Sequence, residues 1–218
     1  SMNEKKLILI GGGGHCKAVI DVALSADYTI MGILDNALEK GSTVLGIPVI
    51  GSDDDIKSIV EQYKDNIEFV ISVGQIKSSA VRRALSSKVI ESGGAIASPI
   101  VAATAHIARG AKLGRGTVVM HNAIVNSDAA IGENCIINTG AIVEHDCKVG
   151  NFIHISTGAI VNGTASIGDN AFIGSHATIA NNISIASNTV IGTGATVIND
   201  IYESGTYCGI PAKPIRND

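Results

Sequence analysis

Six histidines are the first residues to weigh for chemistry. His106, His121, His145, His154 and His176 fall in one stretch, and His15 follows a run of four glycines. His145 stands in Glu144-His145-Asp146, between two carboxylates. A carboxylate beside an imidazole stabilises its charged form and can fix its tautomer. That is the arrangement wanted of a general base, and either Glu144 or Asp146 could orient the ring. The second candidate is Gly11-Gly12-Gly13-Gly14, between an apolar strand-like run and a helical pattern. Backbone N–H groups at such a junction, with the helix dipole, favour an anion such as a phosphate. The dinucleotide fingerprint is incomplete, because Cys16 stands at its third glycine position. The segment is also only about half the size of a two-lobed dinucleotide fold. A nucleotide diphosphate-sugar therefore fits better than NAD. Asp35, at a strand end about twenty residues on, could hold a ribose or uracil group.

The elements that must position these residues are of two kinds. From Val101 to Val197 every sixth residue is Val, Ile or Leu, with no slip. The residue four positions later is mostly small, as in Ala123, Cys135, Ala141 and Cys147; Ile153 and Ile183 are bulky exceptions. A six-residue period suits neither an α-helix nor a half-buried strand. It is the repeat of a parallel β-helix, in which three hexapeptides close one coil. The aliphatic residue points inward, and burying each contributes roughly 1.5–3 kcal/mol. A chain with no Trp and 3% aromatic residues can be stabilised in this way.

Residues eighteen apart then stack in neighbouring coils. Ser127 and Gly163 flank His145, and Gly163 is expected to leave open space beside it. Asn126 and Asn162 flank Glu144, and Asp128 stacks near Asp146. His145 and His121 should both face outward near corners.

Residues 1–98 read differently. Strand-like runs at Leu7–Ile10, Thr29–Leu34, Pro48–Ile50 and Glu68–Val73 alternate with helical patterns after Gly14, from Asp53 to Tyr63, and from Ser78 to Glu91. Such alternation indicates a small parallel sheet. The expected fold is thus α/β plus all-β. A small Rossmann-like domain (1–98) joins a β-helix (99–218) through a linker near Ala95 to Ile100. The Tyr207–Pro214 tail should cap the last coil.

The 218 residues carry a net charge of −4. No nucleic-acid footprint is expected. No apolar run approaches membrane-spanning length, and neither a signal peptide nor membrane insertion is expected. Ser1 before Met2 reads as a cloning remnant. The four cysteines form no CxxC pair, which fits a reducing cytoplasm.

With these motifs assembled, the chain resembles the hexapeptide-repeat sugar acetyltransferases of the sialic acid O-acetyltransferase and bacillosamine N-acetyltransferase family. The resemblance rests on Gly11-Gly12-Gly13-Gly14-His15, on Glu144-His145-Asp146 in the repeat, and on Gly209-Ile210-Pro211-Ala212-Lys213 at its end. It implies a left-handed coil, an acetyl-CoA co-substrate, no metal, and a homotrimer. It implies that His145 is the general base, strengthened by Asp146. It places the nucleotide sugar at Gly13, Gly14, His15, Asp35, Asn36 and Gly74, and acetyl-CoA at His154, Ser175 and Thr193 between subunits. The segment Gly74-Gln75-Ile76-Lys77-Ser78-Ser79 departs from the family's shorter Gly-Asn-Asn pattern. Spacing supports part of this assignment: His121, Thr139, Thr157, Ser175 and Thr193 are eighteen apart, a polar column along which a pantetheine arm could lie.

The expected reaction is acetylation of the 4-amino group of a UDP- or dTDP-linked amino sugar, without an acyl-enzyme. O-acetylation of a sialic acid or related sugar is the alternative. Two other classes are a non-catalytic nucleotide-sugar-binding protein and a β-helix carbonic anhydrase. The last needs three histidines converging on one zinc.

Overall fold

The computed structural model describes residues 6–215. The readings of Ser1 and Met2 lie outside them. The first part is a five-stranded sheet with three α-helices. Its elements are β1 (Lys6–Ile10), α1 (Gly14–Ser25), β2 (Thr29–Leu34), β3 (Thr43–Val44), β4 (Ile47–Gly51), α2 (Ile56–Tyr63), β5 (Ile67–Ile71) and α3 (Ala80–Glu91). The strand order is β3-β4-β2-β1-β5. Neighbours pair in parallel except β3 and β4. That hairpin was not expected from the sequence. Its turn, Leu45-Gly46, has both residues at positive φ, where a leucine gives no turn signal. The helix expected from Asp53 begins instead as a 3₁₀ turn (Asp53–Asp55), with Ser52 and Asp55 capping each other reciprocally.

β1 reads as an unbroken apolar run because both of its faces are covered. Leu7 and Leu9 pack toward α1, while Ile8 and Ile10 pack toward α2 and α3. The Leu7/Leu9 core continues into the second part through Ala97, Ile100, Val118, Met120 and Ile136. The segment expected to be a linker is therefore packed. Ile96 and Ala97 are buried, and Phe69 exchanges backbone hydrogen bonds with Ala95 and Ala97.

In the second part, two-residue strands recur every six residues from Ile100–Val101 to Thr196–Val197. They form three sheets of six, five and eight strands, parallel except where the last of two tail strands joins the third sheet antiparallel. Pairing is eighteen residues apart, as in Ile142 with Ile160. From Val119 onward the periodic aliphatic residues are buried; Val101, Ile107 and Leu113, in the first coil, are only half-buried. Each corner turns through one residue of positive φ, such as Asn122, Asp128, Asp146, Asn170 or Gly158. Asn, Asp and Gly tolerate that conformation best. Thr206–Cys208 pairs with Val190 and Ile191, and Tyr207 and Ala212 pack on the core, so the tail caps the stack as expected.

Candidate active site

His145 occupies the corner between the six-stranded and five-stranded sheets. Its Nδ1 lies 2.8 Å from Asp146 Oδ2. A carboxylate only accepts, so Nδ1 carries the proton and Nε2 presents a lone pair. Glu144 does not share this task. It points elsewhere and accepts a hydrogen bond from Asn126 Nδ2 at 3.0 Å, so the two candidate orienters resolve to Asp146. The open space expected at Gly163 is filled by the imidazole itself. A Cβ at position 163 would lie 2.6 Å from His145 Nε2 and 2.7 Å from Cε1. The ring rests on the bare glycine backbone, and its side chain remains 56% exposed.

The glycine run divides into two kinds. Gly11 has φ +112° and abuts Val73, and Gly12 abuts Leu38 and Asp35, so both are required by the fold. Gly13 caps α1 without a side-chain bond, and Gly14 begins the helix. A Cβ at either position would meet nothing within 4 Å, and neither has positive φ. The chain itself gives these two residues no reason to be glycine. A ligand approaching the helix N-terminus would supply that reason.

Asp35 and Asn36 line a cavity of about 290 Å³ beside this loop, with Gly11, Asp53, Val73 and Leu85. The Asp35 carboxylate is engaged with the backbone around it. Its Oδ2 accepts from Gly12 N–H, and its Oδ1 from Ala37 and Leu38 N–H, at 2.8–2.9 Å. Partial burial pushes its pKa upward, but these three bonds outweigh that and hold it below the ordinary carboxylate value. Asn36 Oδ1 accepts from Asp53 N–H at 3.0 Å.

Gly74 stands against His15, with 3.4 Å between a Cβ placed there and that of His15. His15 Nε2 is buried and makes no hydrogen bond among the described residues. Burial, then the charges of Arg82 and His154, lower its pKa to about 3.

His154 lies on the eight-stranded sheet, 7% exposed, facing the N-terminal part. Its Nδ1 is 2.6 Å from Gln75 O, and its Nε2 is 3.0 Å from Asn138 Nδ2. The orientation of the Asn138 amide follows from Thr139 N–H donating to its Oδ1 at 2.7 Å. A carbonyl only accepts and an amide nitrogen only donates, so His154 must be a neutral imidazole with its proton on Nδ1. Burial lowers its pKa to about 4, in agreement. Asn138 and Gln75 were missed in the sequence. Their roles depend on partners 16 and 79 residues away, and no local spacing marks them.

Ser175 and Thr193 sit on the corner where the eight-stranded sheet meets the six-stranded one, half-buried and exposed respectively. His121, expected to head this column facing outward, is tied down instead. Its Nε2 bonds Asp21 of α1 at 2.7 Å and its Nδ1 bonds Thr104 at 2.8 Å. The hydrogen bonds that Asp21, Gln75, Ser79 and Arg82 share with the second part of the chain fall on the eight-stranded sheet and its corners. His145 occupies the corner that sheet does not share. Among the described residues no three His, Cys, Asp or Glu side chains gather where a metal ion could bind, and no helix is long and apolar enough to cross a membrane.

Comparison with known proteins follows both parts. The PglD N-terminal domain model matches residues 6–89, and the bacterial transferase hexapeptide model (six repeats) matches residues 164–199. The acetyltransferase domain of PglB from Neisseria gonorrhoeae, solved with acetyl coenzyme A, has a TM-score of 0.89 and 31% identity over 97% of this chain and 100% of that one. PerB from Caulobacter crescentus, solved with CoA and GDP-perosamine, has a TM-score of 0.88 and 31% identity over 97% of both chains. WeeI from Acinetobacter baumannii gives 0.85 and 25%, over 97% and 100%. No curated protein sequence matches. The fold is the expected small Rossmann-like domain followed by a left-handed parallel β-helix. With at least 30% identity over nearly the whole of both chains, this chain belongs to the hexapeptide-repeat sugar acetyltransferases of the sialic acid O-acetyltransferase and bacillosamine N-acetyltransferase family.

Proposed function

We propose that this protein transfers the acetyl group of acetyl-CoA to the 4-amino group of a nucleotide-linked amino-deoxy sugar, for bacterial surface glycan synthesis in the cytoplasm. The observation that carries the reading is the base geometry, a corner imidazole whose Nδ1 is held by Asp146. It stands in a chain that also keeps two glycines in open space at a helix N-terminus. The likeness to a perosamine N-acetyltransferase solved with CoA and GDP-perosamine supports the substrate class.

The amine nitrogen attacks the thioester carbonyl carbon. The N–C bond forms, the C–S bond breaks, and the nitrogen's proton passes to His145 Nε2 and on to the departing thiolate. A backbone N–H holds the oxyanion. General base catalysis supplies about 10²–10⁴ in rate, and juxtaposing two bound substrates supplies much of the rest. Gly13, Gly14 and His15 take the diphosphate side of the sugar nucleotide, with Asn36 and Gly74 at the margins. His154, Ser175 and Thr193 take acetyl-CoA, with both His154 ring nitrogens already held by Gln75 and Asn138. The glycine loop belongs to the N-terminal part, which packs on the eight-stranded sheet, and His145 stands on the corner that sheet does not share. A homotrimer with the site between subunits brings them together.

Purified protein with acetyl-CoA should N-acetylate at least one UDP-, dTDP- or GDP-linked 4-amino sugar, read as an amide product by mass spectrometry. Acetyl ester on a sialic acid, with no turnover of any amino sugar, overturns the reading in favour of O-acetylation. Light scattering at micromolar concentration should give three chains per particle, and a monomer would sink the shared site.

A further inference from the structure

The segment after β5 reaches both the glycine loop and His154. Ser72 Oγ–H donates to Gly11 O at 2.7 Å. Arg82 of α3, 1% exposed, donates through Nη1 to Ile71 O and Val73 O and through Nη2 to Asn134 O of the β-helix. Gly74 backs His15. Gln75, 1% exposed, then reaches across. Its side-chain amide donates to Phe152 O at 3.0 Å and Ala171 O at 3.4 Å, and its own carbonyl accepts the Nδ1 proton of His154. A glutamine buried this deeply for packing alone would be poorly placed, and its Oε1 makes no hydrogen bond among the described residues, so its place rests on the amide donors. Here each amide contact falls just before a strand at His154: Phe152 is the corner residue two positions ahead of it, and Ala171 precedes its paired residue Phe172.

We propose that Gln75 is a positioning residue: its side chain anchors the loop on the β-helix so that its carbonyl holds His154 as the Nδ1–H tautomer. Two backbone acceptors on neighbouring coils fix where the carbonyl stands. The carbonyl fixes which imidazole nitrogen is protonated. The lone pair on Nε2 is thereby aimed at Asn138 and the corner that carries Thr157 and Ser175. The inference rests on the proposed role of His154 at the acetyl-CoA site, and it adds a residue outside that site which governs it.

The test uses the full-length protein labelled with ¹⁵N in its histidines. In the wild type the His154 ring should show one protonated and one unprotonated nitrogen, the protonated one being Nδ1. Gln75→Ala, and Gln75→Met as a variant of similar volume, should move these signals toward averaged values. KM for acetyl-CoA should rise roughly two- to tenfold, the worth of one neutral hydrogen bond, with a smaller change in kcat. A pure Nδ1–H tautomer and unchanged KM in both variants would overturn the proposal. So would a lowered melting temperature with unaltered ring signals, which is what a merely structural role predicts. His154→Ala separates the two levels. If it leaves KM for acetyl-CoA unchanged, the acetyl-CoA assignment of His154 fails, while the tautomer readout still judges Gln75.

Discussion

Gly163→Ala is the sharpest perturbation the β-helix offers, because the added methyl group touches only the imidazole of His145. The new Cβ would stand 2.6 Å from Nε2, where ordinary contact begins at 3.4 Å. The ring must withdraw by about 0.8 Å or turn about χ1, because dispersion contacts become steeply repulsive at such range. Position 163 does not have positive φ, so alanine fits its backbone. The side chain of His145 is 56% exposed, so it can yield without disturbing the core. A displacement of about 1 Å in a reacting group costs about 10² in rate. Release of CoA thiol under saturating substrates should therefore fall about 10- to 100-fold, with KM for acetyl-CoA and the melting temperature close to wild type. In a His145→Ala background the same substitution should cost nothing further, since the ring it displaces is gone. Full activity in the single variant, or an equal loss in both backgrounds, would refute the claim that Gly163 seats the base.

Other expectations follow from the same geometry. His145→Ala should lower kcat by about 10²–10⁴ with little effect on substrate binding. Glu144→Gln should change kcat far less than Asp146→Asn, because Glu144 serves Asn126 and not the ring; steady-state kinetics decide, and equal losses would restore Glu144 as an orienter. Gly14→Val should weaken nucleotide-sugar binding in calorimetry and spare acetyl-CoA, since the side chain meets nothing within 4 Å in the fold. His15 and His154 have pKa values of about 3 and about 4 when folded, below the ordinary imidazole value of 6.5. As pH falls below 6.5, the unfolded chain takes up these protons before the folded one does, so stability should decline toward pH 4. The urea midpoint should drop across that window in the wild type, and less steeply in His15→Gln; parallel curves would contradict the buried neutral imidazole.

Much of the β-helix was legible because its signal is repeated and strictly local. Inward aliphatic residues, small residues four positions later and eighteen-residue stacking all follow from one period. The site was legible only where the chemistry is carried by neighbours in sequence, as in His145-Asp146. Asp35 was visible at a strand end, but its carboxylate turns to backbone N–H groups, which side-chain spacing does not reveal. Gly163 was correctly stacked on His145, yet whether a glycine leaves a void or receives a ring depends on a rotamer. Gln75 and Arg82 act across the seam between the two parts, and Asn138 meets His154 between neighbouring coils. Their partners are brought together only by tertiary packing, and pattern reading along the chain cannot see them.

The positive-φ corners recurring every six residues have a consequence for how such a chain can change. A single inserted residue would change which residue must take the left-handed conformation at each corner beyond it. It would also swap inward and outward side chains in each strand beyond. No error would stay local, because each coil is the template for the one above it. Length variation in this half is thus expected in units of whole coils, at the capped end, or not at all. Innovation between relatives must then come through single substitutions at the corners, or through the loops of the N-terminal part, which obey no such register. The longer Gly74–Ser79 segment is a departure of that permitted kind.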